Sequence, residues 1–158
     1  MLIYICDDSR ADQLRLVHNI ESYAKEKGAA VTVKLFSSAD ALLREYETST
    51  EKPAVIFLDI YMDGTNGMEA AERLIELGME NGLVFTTSSE IHAVKAFSIG
   101  ADGYLHKPFT HDDFVRAMKR FSRLFEESRR YITVMQGREE VNICLLYTSD
   151  AADERSSV

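Results

Sequence analysis

The chain has 158 residues, 46% of them hydrophobic and 28% charged, with a net charge of −8. That is the composition of one globular domain of ordinary size, with length left for a fragment of a second. The acidic balance argues against a broad nucleic-acid-binding surface, two cysteines (Cys6 and Cys144) cannot make a disulfide framework, and no apolar run is long enough to span a bilayer.

Leu2 to Cys6 is a short β-prone run stopped by Asp7-Asp8-Ser9. Cys6, inside that run, reads as a buried free thiol. Acids arrive after only six residues, so no signal peptide opens the chain, and a reducing, cytoplasmic setting is expected. From Ser9 to Lys27, Leu14, Val17, Ile20 and Ala24 recur at spacings of three and four, which predicts an amphipathic helix ended by Gly28. Val31 to Phe36 reads as a second strand, and Ser38 to Tyr46 as a helix with Ala39, Leu42 and Leu43 inward. Ala54 to Ile60 is a third strand, so continuously apolar that both faces should be buried. After a loop from Asp63 to Gly67 come a helix from Met68 to Leu77, a strand from Leu83 to Thr87 and a helix from Ile91 to Ile99. A fifth strand, Tyr104 to His106, is stopped by Lys107-Pro108. Thr110 is a good N-cap, and the last helix should run to about Arg129.

Strands alternating with helices predict an α/β fold, a flavodoxin-like (βα)5 doubly wound parallel sheet of order 2-1-3-4-5. In such sheets the ligand crevice lies beyond the carboxyl ends of strands 1 and 3. That places Asp7, Asp8 and Asp59 together. Three carboxylates at close range repel one another unless a cation sits among them, and a hard divalent ion such as Mg²⁺ suits oxygen ligands. Thr87 ends strand 4 and Lys107 follows strand 5, so a hydroxyl and an ammonium share that rim. The set suits a phosphoryl group.

In these residues the sequence resembles the receiver domains of two-component response regulators. The acidic pair Asp7-Asp8, the stretch LDIYMDGTNG with its Asp59, the TTS around Thr87 and Lys107-Pro108 match in order and spacing over residues 1 to about 125. The resemblance implies that Asp59 is the phosphoacceptor for a sensor histidine kinase. It implies that Asp7, Asp8, Asp59 and the Tyr61 carbonyl hold Mg²⁺, and that Lys107 contacts the phosphoryl group. Thr87 would be the switch hydroxyl and Tyr104 the switch aromatic. Ser88 would leave room for phosphodonors, and the Lys107-Pro108 bond would be cis. Such a module would catalyse only its own phosphotransfer and dephosphorylation. Asp63 stands where many receivers carry Pro and reads as a solvated turn residue. His18, His92, His106 and His111 show no paired ligand spacing and read as surface or packing residues.

DIYMDG and AFSIGADGYLHKPF look most like receivers coupled to LytTR-type DNA-binding domains. YITVMQGREEVNICL alternates like a hairpin, and residues 126–143 resemble a linker and the truncated start of such a domain. The intact protein would then control transcription, dimerise on phosphorylation and reach DNA only through that missing domain. CLLYTSDAADE resembles a translated transposase sequencing adapter, so residues 144–158 are expected to be an assembly artefact. Two rival functions stay open. One is a stand-alone receiver acting by protein contacts. The other is a haloacid-dehalogenase-like phosphatase, although Asp59 and Asp63 are four apart after the third strand, where that family has aspartates two apart after the first.

Overall fold

Three apolar runs supply strands that are buried at every position: β1 (Leu2–Cys6), β3 (Val55–Asp59) and β4 (Leu83–Thr87). β2 (Thr32–Phe36) and β5 (Gly103–His106) flank them and are partly exposed, as edge strands are. The computed structural model describes residues 1–62, 66–80, 82–129, 131–136 and 139–144. All five strands pair in parallel in the order β2-β1-β3-β4-β5, the order expected. The helices are α1 (Arg10–Lys27), α2 (Ala39–Thr48), α3 (Gly67–Glu76), α4 (Ala93–Ser98), α5 (His111–Met118) and α6 (Ser122–Arg129).

Side chains alternate across a strand, so the buried strands feed two cores. On one face Tyr4, Leu58 and Phe85 pack with Leu42, Met68 and Leu74 of α2 and α3. On the other, Ile5, Phe57 and Val84 pack with Ile20 of α1 and Phe114 of α5. Tyr23 meets Phe125 edge-on at 4.8 Å between ring centroids, which ties α1 to α6.

Three expectations shift. Leu14 points outward, 51% exposed, because the buried face of α1 is Gln13, Leu16, Asn19, Ile20, Tyr23 and Ala24. Gln13 and Asn19 can occupy that face because their amides donate to the carbonyls of Asp7 and Arg15. The helix expected to run to Arg129 is broken by a 3-10 turn over Lys119–Phe121. Eclipsed positions three apart in that turn bring both Met118 and Phe121 into the core. Finally, α4 begins at Ala93, two residues later than expected. The Ser89 hydroxyl accepts the Ile91 N–H at 3.3 Å, a local bond that competes with a helical start.

β6 (Tyr131–Gln136) and β7 (Glu139–Cys144) form the anticipated antiparallel hairpin, with Thr133 opposite Asn142. Asp63 and the tail from residue 145 onward lie outside the described residues.

Candidate functional site

The carboxyl ends of β1, β3, β4 and β5 point to one rim, and the chain fixes each strand end differently. Asp7 is buried, and its Oδ1 accepts the Ser9 N–H at 2.8 Å. Gln13 Nε2 donates to the carbonyls of Asp7 at 2.7 Å and Phe36 at 3.0 Å, clamping β1 to β2 from inside α1. At the end of β3, Asp59 is also buried, and its Oδ1 accepts the Tyr61 N–H at 3.2 Å. Gly67 opens α3 directly behind it. A Cβ there would lie 2.1 Å from the Asp59 carbonyl oxygen, so only glycine permits this approach. Asp8 is the exposed member of the acidic pair.

One oxygen from each of Asp7, Asp8 and Asp59 lies within 4.8 Å of the others, as the strand order implied. This all-carboxylate set is the donor chemistry of a hard cation and fits Mg²⁺. Lys107 reaches in from the end of β5. Its Nζ is 2.6 Å from Asp7 Oδ2, 3.0 Å from Asp12 Oδ2 and 3.5 Å from Asp59 Oδ2. The Lys107-Pro108 bond is cis. Asp7, Asp12 and Lys107, together with Thr86, Ser88 and Phe109, border a cavity of about 290 Å³.

The electrostatics follow the burial. Removal from water pushes the Asp59 carboxyl up from 3.8 to about 6. Asp7 pushes it the same way, while Lys107 and the Tyr61 amide pull against both. For Lys107, burial pulls downward. Its hydrogen bonds to Asp7 and Asp12 and the charges of Asp59 and Asp7 outweigh that, so the ammonium is held above its usual range. Burial, then the charges of Asp7, Asp59 and Asp8, push the Cys6 thiol up to about 12. Cys6 therefore stays a protonated core residue, as expected, with its sulfur 3.6 Å from that of Met62.

Thr87 and Tyr104 are brought together, but through an intermediary. Ser89 donates its N–H to the buried Thr87 hydroxyl at 3.3 Å, and the Tyr104 hydroxyl donates to the Ser89 carbonyl. Thr86, not Thr87, pairs in register with Asp59 and faces the cavity. The Tyr61 side chain is exposed, and its hydroxyl lies 2.6 Å from His92 Nε2. His106 Nε2 lies 3.0 Å from the Ser88 carbonyl oxygen. So His92 and His106, read as surface or packing residues, make contacts that help to hold the β4–α4 loop.

Sequence reasoning missed Asp12, Gln13 and Gly67. Asp12 lies in the first turn of α1, where the helix dipole favours an acid, so its type there carries no signal of a site. Gly67 carried a usable signal, a second glycine soon after Asp59.

The sequence pattern of the family described as "Response regulator receiver domain" matches residues 3–119. The chain is 33% identical over 120 residues to the sensory transduction protein LytT of Oceanobacillus iheyensis, which covers 75% of this chain and 46% of that one. It is 32% identical over 127 residues to the positive alginate biosynthesis regulatory protein of Pseudomonas aeruginosa, covering 78% of this chain and 48% of that one. The chain thus spans about half the length of these curated relatives. Among solved structures, the response regulatory domain of mrkE from Klebsiella pneumoniae superposes with a TM-score of 0.69 at 23% identity. That match covers 80% of this chain and 99% of the other. The likeness confirms the fold.

Proposed function

This chain belongs to the response regulator receiver domain family, and from that premise we propose that Asp59 accepts a phosphoryl group from a sensor histidine kinase of a two-component system. The observation that carries the proposal is the convergence of Asp7, Asp8, Asp59 and Lys107 at the ends of three strands. With its carboxyl at about 6, Asp59 is mostly ionised at neutral pH and available as a nucleophile.

In the transfer, an Asp59 oxygen bonds to phosphorus as the donor's phosphorus–nitrogen bond breaks. The imidazole nitrogen leaves with the electron pair. Lys107 supplies a fixed positive charge for the phosphoryl oxygens. Asp7, Asp8, Asp59 and the Tyr61 carbonyl would hold Mg²⁺, which neutralises phosphoryl charge when bound. Water later hydrolyses the acyl phosphate, so the module switches itself off and has no other substrate. Thr87 and Tyr104 act as the switch. Drawing the Thr87 hydroxyl toward the phosphoryl group disturbs its bond with Ser89, and through Ser89 the hold of Tyr104.

Residues 1–125 form the phosphoacceptor module, and residues 126–143 are a linker and the truncated start of a LytTR-type output domain. In the intact protein that domain binds DNA and controls transcription in the cytoplasm, with dimerisation on phosphorylation. Among the described residues no helix is long and apolar enough to cross a membrane. A receiver acting by protein contacts alone is the second reading, favoured by the exposed side chains of Ile91, Val94 and Phe97.

The test is intact mass after incubation with Mg²⁺ and acetyl phosphate, beside Asp59→Ala. A gain of one phosphoryl group that the variant lacks supports the reading. A folded chain that gains none refutes it.

A further inference from the structure

We propose that Asp12 is a positioning residue for phosphoryl transfer: it holds the Lys107 ammonium in the resting chain and gives it up when a phosphoryl group arrives. The inference rests on the role proposed above for Asp59.

An ammonium has three N–H donors, and three carboxylates surround this one. Asp7 at 2.6 Å and Asp12 at 3.0 Å are in hydrogen-bond range, while Asp59 stands off at 3.5 Å. Lys107 is thus held mainly by acids that make no bond to phosphorus. Asp12 differs from its neighbours in one respect. It is outside the trio of converging oxygens from Asp7, Asp8 and Asp59. A divalent cation in that trio would draw on the charge of Asp7 but not on that of Asp12. Asp12 is then the carboxylate that competes with the phosphoryl oxygens for Lys107.

Asp12 also has somewhere else to turn. Its Oδ1 lies 3.7 Å from Arg15 Nη1, three residues on along α1. When Lys107 leaves, Asp12 remains beside a cation, so the exchange strands no charge. With acetyl phosphate as donor, an Asp59 oxygen bonds to phosphorus and the phosphorus–oxygen bond to the acetyl group breaks. Acetate leaves with the electron pair. Lys107 keeps its proton throughout and trades its Asp12 contact for a phosphoryl oxygen.

The exchange involves one charge-assisted hydrogen bond at a part-exposed site, so its effect on rate is about fivefold. The full chain is incubated with Mg²⁺ and acetyl phosphate, and the rate of phosphoryl gain is read by intact mass. Asp12→Asn is expected to raise the rate about fivefold, and Asp12→Glu to restore it. Arg15→Ala removes the alternative cation and is expected to lower the rate about twofold. In a Lys107→Ala background, Asp12→Asn is expected to change nothing. A merely structural role would not produce opposite signs at Asp12 and Arg15, nor lose its effect with Lys107. Equal rates for the unmodified chain and Asp12→Asn overturn the inference and leave the role of Asp59 standing. So does an undiminished effect in the Lys107→Ala background. A folded unmodified chain that gains no phosphoryl group overturns the Asp59 reading and this inference together.

Discussion

The two sides of the crevice are built differently. On the α1 and α5 side, Asp7 is held by Ser9 and Lys107, β1 is clamped by Gln13, and aromatic packing of Phe57, Phe114 and Tyr23 lies beneath. On the β4–α4 side the helix is only six residues long, and Ile91 and Val94 are each 83% exposed. The loop there is held by side-chain contacts from Tyr61, Tyr104 and His106. Bond-making needs groups that stay in place, whereas a switch needs a piece that moves for little free energy. Apolar packing underlies the α1 and α5 side and exchangeable polar contacts underlie the β4–α4 side, which suits the roles proposed for Asp59 and Thr87.

The sharpest way to break this contrast is to truncate one aromatic on each side. Phe114→Ala should cost about 3–5 kcal/mol in urea unfolding, because Phe114 is fully buried. Phe97→Ala, at a half-exposed position on α4, should stay within about 0.5 kcal/mol. Equal losses would mean that the two sides are alike.

Next in size is the charge on Asp59. Its folded-state value of about 6 lies above the ordinary 3.8. Between those values the folded chain keeps a proton that the unfolded chain has lost, so stability falls as pH rises through the window. Without divalent metal, Asp59→Asn should therefore be more stable than the unmodified chain by about 3 kcal/mol at pH 7. The gain should vanish near pH 4, and thermal melts at the two pH values would show it. A variant that is less stable at pH 7 would contradict the burial argument.

Gly67→Ala should follow, losing about 1–3 kcal/mol, since a methyl group would collide with the Asp59 carbonyl. Denaturant melts check the loss, and an undisturbed melt would mean that α3 can shift freely. The smallest effect belongs to the β4–α4 side. Tyr104→Phe removes one hydroxyl from the Ser89 carbonyl and should cost about 1 kcal/mol. Its mark should be faster amide exchange confined to residues 88–99. Faster exchange throughout the sheet would instead place Tyr104 in the core.

The same contrast explains what the sequence disclosed. Asp7, Asp8, Asp59 and Lys107 follow runs of β-prone residues, and a parallel sheet brings every strand's carboxyl end to one rim. Their meeting was therefore legible from order alone. Asp12 was not, because its contact depends on the reach of a lysine ninety-five positions away. The buried stripe of α1 was misjudged because Gln13 and Asn19 lie inside it, admitted by hydrogen bonds that periodicity cannot register. The break at Lys119–Phe121 also escaped, since nothing in that segment forbids a continuous helix. On the α4 side, His92 and His106 read as surface or packing residues, and their partners Tyr61 and Ser88 are distant enough in the chain that spacing does not name them.

Thr86 and Thr87 are neighbours in the chain, yet the pleat of β4 turns them to opposite faces. Thr86 looks into the cavity beside Lys107, and Thr87 bonds to the loop that leads to α4. The peptide bond they share therefore joins the two surfaces of the sheet at one point, so the path from the cavity to the α4 loop is a single residue long.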